Sequence, residues 1–303
     1  MKKAVLFISL ALLGAAGMAQ NQSVVEVESK DTYSFSVGKI KDKVRLSDVD
    51  MDIPQTKIVN DNTFVIIFAN ENYQKEQKVP YAKHDGEVFK EYCVKTLGIP
   101  ERNIRFQTNA TLNNMKHEVE WLKNTLASLK GDGKGIVYYS GHGMPNEATM
   151  NSYLLPVDGY STDPRSGYSL DEIYASLGDA DAASVTYFID ACFSGANRSG
   201  VMMEQNRGVA VKSKAGVMKG NTVVFSAAQG DETAYVYQDK SHGMFTYFLL
   251  KKLQDSKGNV NYGELDEYIS DKVSRLSLVE NSKKQTPLTS STMNDWKKMK
   301  FNK

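Results

Sequence analysis

The sequence predicts an α/β fold with a mostly parallel central sheet covered by helices on both faces. Three observations carry that prediction. Runs such as FVIIFA, GIVYYS and VTYFID are apolar without alternation, as in strands buried on both faces. Segments with helical spacing of apolar residues lie between them. Small residues follow several of the runs, at the edge where open α/β sheets form their sites.

The first segment stands outside this pattern. Lys2 and Lys3 precede an apolar run from Ala4 to about Ala16, and small residues lead to a cut after Ala19, so residues 1–19 read as a secretory signal peptide. The run falls short of the ~20 residues a membrane span needs, and no cysteine follows the cut to carry a lipid. The mature chain is expected to be exported, to the periplasm or the extracellular space, without stable membrane insertion. Residues 20–58 are polar and mixed and read as an N-terminal extension, leaving 59–303 as the folded domain.

Within that domain TFVIIFAN (63–70) is the first buried strand. A helix follows over about 85–97, where Val88, Phe89, Tyr92, Cys93 and Leu97 share a face. NIRFQTN is a short strand. Met115, Val119, Leu122, Leu126 and Leu129 step by 4, 3, 4 and 3, which marks an amphipathic helix. GIVYYS (135–140) is the next strand. Ser169 and Glu172 form a capping-box pattern opening a helix with Ile173 and Leu177. SVTYFID (184–190) and NTVVFSAA (221–228) are strands. GMFTYFLLKKL (243–253) and YGELDEYISDKVSRL (262–276) are helices, the second capped by Asn261 and Glu264. The Gly-, Lys- and Arg-rich stretch 196–220 reads as a long exposed loop, a feature usually tied to function.

Composition narrows the function classes. The 303 residues are 41% hydrophobic, enough for a substantial core. Lys and Arg number 37 against 36 acids; loss of Lys2 and Lys3 with the leader leaves 35 against 36, a charge of −1. That balance argues against nucleic acid or an anionic membrane as the partner, and the basic end KKMKFNK reads as a solvated tail. Export permits a disulfide between the two cysteines, but Cys93 sits on an apolar helical face and Cys192 in a glycine-bounded turn, so both are expected free.

Ser-Gly-His-Gly begins where strand 135–140 ends, and Asp-Ala-Cys-Phe-Ser-Gly where strand 184–190 ends. If the strands are neighbours, His142 and Cys192 emerge on one edge. An imidazole beside a thiol can take its proton, and the thiolate is the nucleophile. The backbone N–H groups of Gly143 and Cys192 could hold a developing oxyanion. No metal site is expected: His84, His117 and His242 form no ligand pattern with Cys192. A Gly-x-Ser-x-Gly serine nucleophile is absent.

These motifs resemble the caspase-like cysteine peptidases, nearer their metacaspase and bacterial branch than the animal caspases. FVIIFANENY, VPYAKHDGEVF, VYYSGHG, YLLPVD, YFIDACFSG, VVFSAAQGDETAYV and GMFTYFLLKKL come in family order over about 60–290. The interval between His142 and Cys192 is also that family's own, about 50 residues. Asp-Ala-Cys stands where animal caspases carry Gln-Ala-Cys, and His84-Asp85-Gly86 where metacaspases often carry Asn-Asp-Ala. The resemblance implies a caspase-like fold, protein or peptide substrates, and hydrolysis through an acyl-enzyme on Cys192 with His142 as base. It also implies a P1 pocket for Arg or Lys at Asp85, Ser140 and Asp190. Strand alternation puts Ser140 on the side of His142 and Asp190 on that of Cys192, where a substrate cation would offset the anion beside the thiolate. Calcium dependence is common among metacaspases, yet no loop here reads as a dedicated calcium site; the resemblance leaves calcium open, and no other cofactor is expected. With basic P1 preference, Arg198, Arg207, Lys212, Lys214 and Lys219 make the long loop a target for autoprocessing. The alternatives are a caspase-like peptidase of different P1 preference and a catalytically silent scaffold.

Overall fold

The computed structural model describes residues 44–194, 214 and 216–301. The elements are β1 (Thr63–Ala69), α1 (Ala82–Lys95), β2 (Ile104–Thr108), α2 (Leu112–Ser128), β3 (Lys134–Ser140), β4 (Gly143–Pro145), β5 (Ser152–Leu154), β6 (Tyr168–Ser169) and α3 (Leu170–Gly178). They continue with β7 (Ser184–Asp190), β8 (Thr222–Ser226), β9 (Val236–Tyr237), β10 (His242–Gly243), α4 (Met244–Ser256), α5 (Tyr262–Asn281) and β11 (Leu288–Ser291).

Six strands form the central sheet in the order β11-β8-β7-β3-β1-β2, parallel throughout except for β11 at the edge. Its middle strands bury both faces, which is why they lack alternation. Val65, Ile67, Ile136, Tyr138, Phe188, Val223 and Phe225 pack with residues of α1, α4 and α5. Ile66, Phe68, Val137, Tyr139, Tyr187 and Ile189 pack on the other face with α2 and α3. Tyr138 and Phe188 lie two residues before Ser140 and Asp190, so the α1/α4 face continues upward into these two polar side chains.

The strand and helix assignments from sequence are all present, with shifted ends. Helix α1 starts a turn earlier than apolar spacing suggests, from Tyr81 in the left-handed region (φ 66°) and without a side-chain cap. It crosses the sheet closely because Gly86 has no side chain: a Cβ there would lie 2.8 Å from Ala69 Cβ. The expected capping box of α5 is formed, Asn261 Oδ1 accepting from Glu264 N at 2.8 Å and Glu264 Oε2 from Asn261 N at 3.1 Å. That of α3 is not: Ser169 is the N-cap without a side-chain bond, and Glu172 turns toward Lys116, 3.4 Å away.

Three features differ from the sequence reading. The short sheet β4–β6 was not visible in it, since two- and three-residue strands carry no period. Strand β11, Leu-Thr-Ser-Ser, is equally short of a signal and is held by pairing to β8. The tail KKMKFNK is not merely solvated. Phe301 is buried against Phe188 and Tyr262, with ring centroids 6.1 and 5.0 Å away, because its aromatic residue fills the end of the core. The leader 1–19, most of the extension 20–58 and most of the loop 196–220 lie outside the described residues.

Candidate active site

Strands β3 and β7 are adjacent and parallel, with Ser140 opposite Asp190. Both chains continue past this pair, and two residues on each reach His142 and Cys192. The two motifs 50 residues apart in sequence are therefore brought to one edge of the sheet. Gly143 presses on the cysteine motif: a Cβ there would lie 2.5 Å from the Cys192 carbonyl oxygen and 2.7 Å from Phe193 Cδ1. Only glycine lets the two backbones approach this closely.

His142 is 2% exposed and held from several sides. Its backbone N–H donates to Tyr73 Oη at 2.8 Å, and its ring lies against that of Tyr73, centroids 4.7 Å apart. Its carbonyl accepts from Tyr139 Oη at 2.6 Å and Leu155 N at 2.9 Å. Its Nε2 lies 2.7 Å from the Gln77 carbonyl oxygen. A carbonyl only accepts, so this contact assigns the proton of a neutral ring to Nε2 and leaves Nδ1 as the basic nitrogen. Gln77 acts through its backbone, which is why no side-chain motif pointed to it.

Cys192 is 2% exposed, and its Sγ accepts from Ala234 N at 2.8 Å. The carbonyl oxygen of the same alanine lies 3.5 Å from Sγ and accepts from the thiol. The segment carrying Ala234 is held by Gln285, whose Oε1 accepts from Tyr235 N at 2.9 Å and whose Nε2 donates to the Ala227 carbonyl at 2.9 Å. Neither residue was found from sequence. Cys93, like Cys192, is in no disulfide; it is fully buried in the core, and its thiol is pushed far up by burial.

Asp85, Ser140 and Asp190 all show no exposure and meet beside this edge. Ser140 Oγ donates to Asp85 Oδ2 at 3.2 Å. Asp190 Oδ2 accepts from Thr246 Oγ1 at 2.7 Å and Thr246 N at 3.3 Å, and Tyr138 Oη lies 2.7 Å from the same threonine oxygen. Asp85 Oδ1 accepts from Gly243 N at 3.1 Å. Helix α4 has no side-chain cap of its own at Gly243. The two carboxylates supply caps from elsewhere in the chain, at the end of the helix where its dipole favours anions.

A third carboxylate approaches from the N-terminal side. His242 is fully buried, with Nδ1 2.8 Å from Asp85 Oδ1 and Nε2 2.9 Å from Asp50 Oδ1. Burial alone would lower its pKa, but the bonds and charges of Asp50 and Asp85 outweigh it and push it up to about 9. Burial would raise Asp50; the bonds from His242 and His84 prevail and hold its carboxyl well below the usual range.

Among the described residues, Asp50, His84 and His242 are the one group of three potential metal ligands, their ligand atoms within 4.8 Å of one another. Both nitrogens of His242 already face carboxylates, and its ring stacks on that of His84 with centroids 4.6 Å apart and 27° between planes. Nε2 of His84 and Nε2 of His242 both face Asp50 Oδ1, at 3.1 and 2.9 Å, so the two rings are drawn to one carboxylate oxygen. The geometry is that of a protonated imidazole shared between two carboxylates.

The family model of the caspase domain matches residues 62–297. The fold is also that of solved structures. Caspase-1 from Spodoptera frugiperda superposes with a TM-score of 0.56 at 16% identity, over 86% of this chain and 98% of its own. A protein from Geobacter sulfurreducens superposes with a TM-score of 0.58 at 17% identity, over 79% of this chain and 97% of its own. No curated protein matches the chain. A parallel sheet with a histidine and a cysteine at the ends of neighbouring strands is the architecture of a caspase-like protein. The chain belongs to the caspase-domain family of cysteine peptidases. No helix among the described residues is long and apolar enough to cross a membrane.

Proposed function

We propose that the chain is an exported cysteine endopeptidase that cleaves after Arg or Lys. The observation that carries this reading is the placement of His142 and Cys192 two residues beyond the paired ends of β3 and β7, with two buried carboxylates at that edge: Asp190 at the end of β7, and Asp85 of α1 bonded to Ser140 at the end of β3. In the first step Nδ1 of His142 takes the Sγ proton of Cys192, and sulfur attacks the scissile carbonyl carbon. The N–H groups of Gly143 and Cys192 stabilise the oxyanion. The C–N bond breaks as His142 returns the proton to the leaving amine. Water then cleaves the thioester, with His142 again as base. Asp85 and Asp190 pair the P1 cation, and Ser140 adds an acceptor. Export rests on the pattern of residues 1–19. The same preference makes the basic residues of the loop 196–220 targets for a second copy of the enzyme, and a cut there would leave two fragments joined by the sheet.

A cleavage profile of the purified protein with a peptide library, run beside Cys192→Ala and Cys93→Ala, tests this. The wild type should cut after Arg and Lys, Cys192→Ala should cut nothing, and Cys93→Ala should keep most activity. A dominant P1 Asp or large apolar residue would refute the pocket. Equal loss from both cysteine changes would refute the nucleophile. An inert wild type that also resists thiol-directed labelling would leave the silent scaffold.

A further inference from the structure

We propose that Asp50 and His242 are positioning residues for P1 specificity: the segment Ser47–Asp50, which precedes the matched caspase domain, holds His242, and His242 orients Asp85. The inference rests on the P1 reading above and adds to it two residues and a piece of chain outside the family match.

The segment is built into the fold. Val49 is fully buried, and its carbonyl accepts from Tyr92 Oη at 2.9 Å. Gln254 Nε2 donates to the carbonyls of Asp48 at 2.8 Å and Met51 at 2.9 Å. Asp48 pairs with Lys240 at 2.8 Å and Lys251 at 3.4 Å, and accepts from Tyr247 Oη at 3.0 Å. These contacts tie the segment to α1, to α4 and to the turn before β10. Asp50, at its end, has a side chain 3% exposed and reaches His242 Nε2.

His242 turns that anchoring into orientation. Its Nδ1 binds Asp85 Oδ1, the Gly243 N–H is shared between Oδ1 at 3.1 Å and Oδ2 at 3.2 Å, and Ser140 binds Oδ2. The carboxylate plane is thereby fixed, with both oxygens facing Gly243 of β10, Oδ1 held by the His242 ring and Oδ2 by Ser140 at the β3 end. Recognition of a guanidinium depends on such a fixed plane, because its N–H fork is rigid. With Nε2 unanchored, the imidazole can turn and Asp85 loses its strongest donor.

The test uses the full chain in the presence of a chelator. Asp50→Ala and His242→Gln are compared with wild type on two peptides differing only at P1, arginine or its uncharged isostere citrulline. Alkylation of Cys192 by iodoacetamide is measured alongside. The kcat/KM ratio of arginine to citrulline peptide should fall about tenfold or more, mainly through KM, as for loss of a hydrogen bond to a charged group. Alkylation should stay within about twofold of wild type, a smaller change than any lost bond to charge would give. Asp50→Asn keeps the shape and one acceptor oxygen; it should show a smaller fall in the same direction, and it carries the test if Asp50→Ala does not fold. An unchanged ratio in folded variants overturns the inference, as does equal loss on both peptides with slowed alkylation, the mark of general damage. In a parallel series with Zn2+ in place of the chelator, a variant effect seen only with Zn2+ would identify a metal site and overturn it too. A wild type with no preference for arginine over citrulline refutes the P1 reading itself, whereas a clear wild-type preference that the variants keep refutes only this inference.

Discussion

Replacing Asp190 by Asn removes a buried charge and leaves the side chain's shape. The carboxylate has two tasks that the substitution separates. It caps α4 through Thr246 N and Oγ1, and it faces the proposed P1 cation. An amide oxygen can still accept from Thr246, so what the helix loses is the charge at its dipole, worth about 0.3–1 kcal/mol and up to ~2 kcal/mol when partly buried. For a domain of this size that lowers Tm by about 2–4 °C per kcal/mol, so the variant stays folded at assay temperature. The substrate loses more. A cation brought into a buried site with one partner removed is penalised by about 3–5 kcal/mol. At about 1.4 kcal/mol per decade, kcat/KM on a P1 Arg peptide should fall by roughly two to three and a half decades. Alkylation of Cys192 by iodoacetamide needs no P1 cation and should persist, or quicken with one anion fewer near the sulfur. Steady-state kinetics on P1 Arg and P1 citrulline peptides, with the alkylation rate and a thermal melt, check all three statements. A fall below about tenfold would refute the reasoning, since even one charged hydrogen bond should exceed it. So would an equal fall on both peptides, which would make Asp190 a structural cap and nothing more.

Gly143→Ala forces a Cβ to 2.5 Å from the Cys192 carbonyl oxygen, so that backbone must move; loss of the aligned oxyanion donors should lower kcat by about 10²–10³, the crowding should cost about 1–3 kcal/mol, read as a lower Tm, and an unchanged kcat in the folded variant would show that Gly143 lies outside the reaction. Cys93→Ala removes one buried sulfur and should cost about 1 kcal/mol of stability, read as a small drop in Tm with thiol labelling of the native enzyme unaffected. His242 has a folded pKa raised to about 9. Its contribution, roughly 3 kcal/mol, is therefore complete below about pH 6.5, its unfolded value, and is lost as pH rises through about 9. Melts of wild type and His242→Gln from pH 6 to pH 10 should converge as pH rises, and parallel curves would mean that His242 is not held as a cation.

The near-neighbour patterns of this chain were legible because their physics is local. Uninterrupted apolar runs marked β1, β3, β7 and β8, and apolar steps of three and four marked α2. Asn261 and Glu264, three residues apart, formed the box their spacing promised. The strand-to-turn transitions at His142 and Cys192 were equally visible, since each is a few residues of backbone. What surrounds them was not. The Gln77 carbonyl meets His142 across 65 positions, and Ala234 meets Cys192 across 42. Both act through backbone atoms that every residue possesses, so no residue type could signal them. The cap of α4 looked absent from its own sequence because Asp85 and Asp190 provide it, the first from 158 positions away. Asp50 and His242 stand 192 residues apart and pair only because a short N-terminal turn docks between α1 and α4. Side-chain period and capping are settled by neighbours within one turn or one strand. The protonation of His242 and the orientation of Asp85 depend on which segments the completed sheet brings together, away from water, where a charge must find a partner or be lost.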